Sequence, residues 1–222
     1  MGVSQQIGSS SLSKPGVCTS STRPATPYEG QMIYETDTDL SYIYNGSAWQ
    51  QIAGGTAVGN SGLVYVTSAT IGTTVSSVTV SSAFSTTYDN YKIVVGGGVA
   101  SGTVSMGMIL GANATNYYWS AVLSGYGAAP TVSATSGAGS AANWRVNDAS
   151  TNSFHAIIEL QSPNLAVRTT YQAMSGLAIT TGYSISAAGF LNDAAQYTAF
   201  TFTPSSGTLT GGTITVYGYR KA

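Results

Sequence analysis

An all-β fold is predicted for this 222-residue chain: a small N-terminal β-hairpin or meander module, then an antiparallel β-sandwich of jelly-roll-like kind. Three features predict it. Charged residues make up only 7% of the chain, against about a quarter in an ordinary soluble domain. Ser, Thr, Gly, Ala, Asn and Gln fill the surface instead. Val, Ile, Thr and 15 Tyr supply side chains that suit a pleated, half-buried surface better than a helix. Short runs of alternating character recur between turn residues, and the 27 Gly would interrupt long helices.

The elements follow in order. Residues 1–28 hold Pro15, Pro24 and Pro27 and have no hydrophobic periodicity. Alone they cannot bury enough apolar surface to offset the entropy of ordering. They read either as a floppy tail or as an extended anchoring arm that docks on a neighbouring subunit or a larger particle. Residues 29–53 read as a compact module. Met32 and Tyr34 alternate with Ile33, Glu35 to Asp39 make a polar turn, and Tyr42 and Tyr44 alternate with Ile43. Asn45-Gly46 is a hairpin signal, and Ala48 to Ile52 supply a third short strand. Residues 54–62 are a Gly-rich linker.

From residue 63 to 222, eleven short β patterns fit one sandwich. They are Leu63–Thr67, Val75–Val80, Tyr91–Gly96, Thr103–Leu110, Tyr117–Leu123, Asn143–Asn147, Phe154–Gln161, Thr170–Ser175, Tyr183–Leu191, Tyr197–Thr203 and Thr213–Tyr219. Phe154, Ala156, Ile158 and Leu160 share one strand face, with His155, Ile157 and Glu159 on the other. Ser124–Ala142 is rich in small residues and has no pattern, so it reads as a long loop facing a ligand or a neighbouring subunit. Asp193–Gln196 could hold a turn.

Charge and composition exclude some partners. Net charge is −1 and the seven basic residues are scattered, whereas nucleic-acid binding needs Lys and Arg in a cluster. No apolar run approaches the roughly 18 residues of a membrane span. Neither the n-region nor the h-region of a signal peptide is visible. The lone Cys18 can make no internal disulfide, which fits a reducing cytoplasm or a fold that needs no staple.

Catalytic chemistry finds little support. A Ser-His-Asp arrangement would have to use His155, the one histidine, and no G-x-S-x-G elbow is present. Glu29, Glu35, Asp37 and Asp39 place four carboxylates close in sequence, and Asp37-Thr38-Asp39 could offer oxygens to Ca²⁺. The Gly and the final Glu of an EF-hand are missing, so a solvated hairpin turn is the expectation. Asp89, Asp148, Glu159 and Asp193 are too dispersed to announce the paired acids of a glycoside hydrolase. Gly96-Gly97-Gly98 precedes no helix and no Lys, and so reads as a turn or bulge, not a phosphate loop. No enzyme, metal or cofactor is expected. The remaining resource is aromatic: Tyr117, Tyr118, Trp119, Tyr126 and Trp144 are the candidate receptor or inter-subunit contacts, with core packing as the alternative.

One stretch carries a resemblance. Arg23-Pro24-Ala25-Thr26-Pro27-Tyr28-Glu29-Gly30-Gln31-Met32-Ile33-Tyr34-Glu35-Thr36-Asp37-Thr38, followed by Tyr42-Ile43-Tyr44-Asn45-Gly46-Ser47-Ala48-Trp49, resembles a module of tailed-bacteriophage virion proteins. That module recurs in tail fibres, minor tail proteins and head-fibre or decoration proteins. A second, shorter likeness links Phe84, Tyr88 to Ile93 and Gly211 to Tyr219 to β-sandwich domains of phage fibres. The resemblance implies a virion component assembled in the host cytoplasm. It would be a homotrimer, joined to other virion proteins through residues 1–53, with the sandwich facing a host glycan or protein. Tail fibre or receptor-binding protein is the first expectation, and a capsid decoration protein is the alternative. The module carries no catalytic residues.

Overall fold

The computed structural model describes residues 15–53, 62–127 and 131–221. Residues 1–14 of the expected arm and 54–61 of the expected linker lie outside the described residues. The chain divides into two compact units, Met1–Asn60 and Ser61–Ala222. Every regular element is a strand, and no helix occurs among the described residues.

The first unit is a four-stranded sheet in the order β1 (Gly16–Cys18), β2 (Met32–Glu35), β3 (Leu40–Tyr44), β4 (Trp49–Ala53). Strands β2 to β4 form the meander that alternation and Asn45-Gly46 indicate. Asn45 closes its turn by accepting from the amides of Ser47 (3.0 Å) and Ala48 (2.8 Å), with Gly46 at φ 89°. Residues 15–28 differ from a free arm. Gly16 to Cys18 pair in parallel with Ile33 to Glu35, so the domain boundary does not fall at residue 28. A three-residue strand whose Val17 is exposed leaves no apolar periodicity to read.

The second unit is a two-layer sandwich. Its elements are β5 (Leu63–Thr70), β6 (Val78–Val80), β7 (Asn90–Ala100), β8 (Val104–Leu110), β9 (Tyr117–Gly125), β10 (Val132–Ala141), β11 (Trp144–Ala149), β12 (Phe154–Gln161), β13 (Thr170–Gly176), β14 (Tyr183–Leu191), β15 (Phe200–Pro204), β16 (Leu209–Thr210) and β17 (Thr213–Tyr219). The larger sheet runs β10-β9-β14-β13-β12-β7-β17-β5 with β16 attached to β7, and the smaller runs β11-β8-β15-β6. All pairings in both are antiparallel. The strands divide nine to four, where a jelly roll has eight in two Greek keys.

Alternation along β12 sends Phe154, Ala156, Ile158 and Leu160 inward and leaves His155 and Ile157 exposed and Glu159 half-buried. Gly96 and Gly97 make a bulge in β7: Phe154 pairs with Gly98 while Ala156 pairs with Val95, and Gly97 stands at φ 77°. Ser124–Ala142 differs most from its expectation, because β10 fills most of it, paired with β9. An edge strand of small, mostly exposed residues is held through its backbone, and it carries no apolar pattern.

The core lies between the sheets and is strongly aromatic. Phe84 stacks on Phe200 at 5.6 Å, Phe200 meets Phe202 at 5.2 Å, and Phe202 meets Phe154 at 6.0 Å. Buried tyrosines bring their hydroxyls to backbone partners. The Tyr117 hydroxyl accepts from the Leu110 amide (2.8 Å) and donates to the Asn113 carbonyl (3.0 Å). Burial pushes this phenol far above its usual pKa, so it remains a donor at every physiological pH. Tyr117→Phe keeps the ring but strands the Leu110 amide, and should cost about 1–3 kcal/mol of sandwich stability by chemical denaturation.

Candidate functional site

Two places concentrate polar chemistry, one in each unit. In the first unit it is a clasp around a buried carboxylate. β2 turns Ile33 and Glu35 inward by strand alternation, and Glu35 is fully buried. It is not left unpaired there. Arg23 Nε donates to Glu35 Oε1, and Thr38 Oγ1 donates to Oε2 at 2.8 Å. The guanidinium also lies over the Tyr42 ring, 4.4 Å from its centroid. Asp37 accepts from the Ser20 amide (2.9 Å) and from the Ser20 hydroxyl (2.5 Å), and the Thr36 amide donates to the Cys18 carbonyl at 3.0 Å. Tyr34 donates to Asp39 at 2.7 Å.

Residues 36–39 are exposed, as a solvated turn requires, and the turn also clasps residues 18–23. Three of its four carboxylates are engaged in hydrogen bonds, and no cluster of three metal-ligating side chains occurs among the described residues.

The Arg23 hydrogen bond holds the Glu35 carboxyl below its ordinary value, and the Ser20 hydroxyl does the same for Asp37. Groups depressed in this way stabilise the folded module at neutral pH, and that contribution is lost as pH falls through the lowered values.

In the second unit the aromatic candidates separate. Tyr117 and Trp144 are fully buried, so they leave the list of surface contacts and belong to the core. Tyr118, on the outer face, stacks on Phe190 at 4.8 Å with the rings nearly parallel, and Arg168 caps Phe190 at 5.8 Å. Tyr126 is exposed. Trp119 is half-buried against the core and lines a cleft on the smaller sheet.

That cleft has a simple origin. Thr203 of β15, Gly107 of β8 and Arg145 of β11 form one transverse row. With no side chain at its centre, the row lets the Asn143 carboxamide pack against the backbone at the floor of a depression of about 170 Å³. Arg145 is fixed from below, donating from Nε (3.0 Å) and from a terminal nitrogen (2.6 Å) to the buried Asp148. Tyr183 of the larger sheet also donates to Asp148, and burial together with that carboxylate pushes the phenol up to about 12. Sequence reasoning missed Gly107, Asn143 and Arg145 because they are brought together only by the β8–β11 and β8–β15 pairings.

The residues weighed for catalysis are dispersed. His155 is exposed, and Glu159 is paired with Lys92 (3.0 Å) and Tyr219 (2.7 Å). Asp89 pairs with Lys221 (2.7 Å), and Asp193 accepts from Asn113 and Tyr197, each at 2.9 Å. His155 and Glu159 line separate depressions on the larger sheet. No protein-family model, no curated protein and no solved structure matches the chain.

The clasp makes an acid-sensitive module. Amide signals of Gly16 to Cys18 should lose protection as pH falls below about 4, where ordinary carboxylates protonate. In Glu35→Gln protection should be weaker at neutral pH and fall less with acid. Protection unchanged down to pH 2 would remove the carboxylates from this role.

Proposed function

We propose that the chain is a non-enzymatic structural component of a tailed-phage virion, a tail fibre or receptor-binding protein joined to the particle through residues 1–53. The β-sandwich faces the host surface, and the working form is a homotrimer. The observation that carries the reading is the segment Arg23–Trp49. Its resemblance to phage virion modules is sequence-based, and the residues that carry it also build the fold of the first unit. Arg23, Glu35 and Thr38 form the clasp around the buried carboxylate, Asn45 and Gly46 the tight turn, and Tyr44 packs on Trp49 at 5.3 Å. A module built this way is a folded fitting that can be joined to different domains.

Two features of the sandwich support the outward, many-copy role. It carries only nine charged residues, six of them in ion pairs, so identical copies can crowd with little repulsion. Val94, Ile157 and Met174 also lie side by side on the outer face of the larger sheet, with Val122 further along the same row. The charged residues beside them, Lys92 and Glu159, neutralise each other. This apolar row suits contact with another copy of the chain.

Purified full-length protein should compete with particles for host cells and reduce adsorption in proportion to its concentration. Its copy number per particle should match the tail appendages rather than the shell. Adsorption unaffected by saturating protein, with copies as numerous as shell subunits, would favour the decoration role instead.

A further inference from the structure

We propose that the cleft over Gly107 is a binding site for one neutral saccharide ring. The cleft lies on the outer face of the smaller sheet, between Thr203 and Arg145, and the missing side chain at position 107 lets the Asn143 carboxamide pack against the backbone at its floor. About 170 Å³ is below the usual range for drug-sized ligands and suits a single ring. Its lining offers hydroxyls from Thr203 and Ser205 and the carboxamide of Asn143, a mixed set of donors and acceptors.

Charge excludes an anion. Arg145 is the one cation in the lining, and two of its nitrogens are engaged by Asp148, which cancels its charge. What remains is a guanidinium edge, held still, that can donate to a ligand hydroxyl. Trp119 supplies the apolar wall. Its Nε1 is buried without an acceptor, against Gly137, where an added Cβ would lie 2.3 Å away. The part of the indole open to the cleft is therefore carbon, and aromatic carbon surface complements the C–H face of a sugar.

Position 107 also provides the test. A Cβ there would fall 2.7 Å from Asn143 Cγ, the mobile end of a side chain, and Gly107 has ordinary backbone angles. Gly107→Ala should therefore fold and displace the Asn143 amide from its place against the β8 backbone.

Saturation-transfer NMR on the full-length protein would use glucose, galactose, mannose, N-acetylglucosamine and N-acetylgalactosamine as probes, with sialic acid as the charged control. At least one neutral sugar should receive saturation and sialic acid none. Gly107→Ala, which displaces the Asn143 amide, and Asn143→Ala, which removes it, should each weaken binding about tenfold. Circular dichroism of both variants would match the parent. Transfer to no neutral sugar, or transfer unchanged in a folded Gly107→Ala protein, overturns the proposal. So does preference for sialic acid. These outcomes are read from sugar binding alone, and the particle role is read from adsorption and copy number, so either can fail without the other.

Discussion

The sandwich depends on how one strand, β11, is bound to the sheet it faces. Trp144 is fully buried and packs against two tyrosines of the larger sheet, Tyr117 at 5.1 Å and Tyr171 at 4.7 Å. Tyr171 then donates to the Arg145 carbonyl at 2.8 Å, and Tyr183 donates to Asp148. Three consecutive strands of the larger sheet's order, β9, β14 and β13, thus reach a single strand of the smaller one. The aromatic area excludes water, and the hydroxyls satisfy the polar groups that come with it. Without this attachment the smaller sheet would lose its fourth strand, and Arg145 would lose the frame that aims it at the outer cleft.

The first unit solves a different problem. Four short strands bury little, and such sheets are marginal alone. Here a half-exposed Arg23 pairs with the buried Glu35 carboxylate, which is hydrogen-bonded on both oxygens, and the guanidinium lies over an aromatic ring; together they hold residues 18–23 against the meander. Breaking such a pair by removing one partner leaves an uncompensated charge, so each member demands the others.

Much of the fold is legible in the sequence where side chains alternate between core and solvent. Phe154–Gln161, Tyr183–Leu191 and Thr213–Tyr219 coincide with strands in full, because one face of each is buried against the smaller sheet. Strands β1 and β10 are silent because edge strands of small or exposed residues are held by backbone hydrogen bonds, which leave no composition signal. The aromatic cluster near residue 118 was visible, but its division was not. Strand alternation sends Tyr117 inward and Tyr118 outward, and Trp144 is buried at the start of a different strand. The cleft was invisible, since a glycine's lack of a side chain matters only once Thr203 and Arg145 stand on either side of it.

The chain is built of two units, a four-stranded sheet and a sandwich, and in the proposed function they serve as the attached and displayed parts of a virion protein. Cryo-electron microscopy of the intact virion tests this most directly. The account predicts three-fold density at the tail, with the four-stranded unit embedded among other virion proteins and the cleft over Gly107 facing outward. Particles that lack the chain, or that hold the sandwich buried and the four-stranded unit exposed, would contradict it.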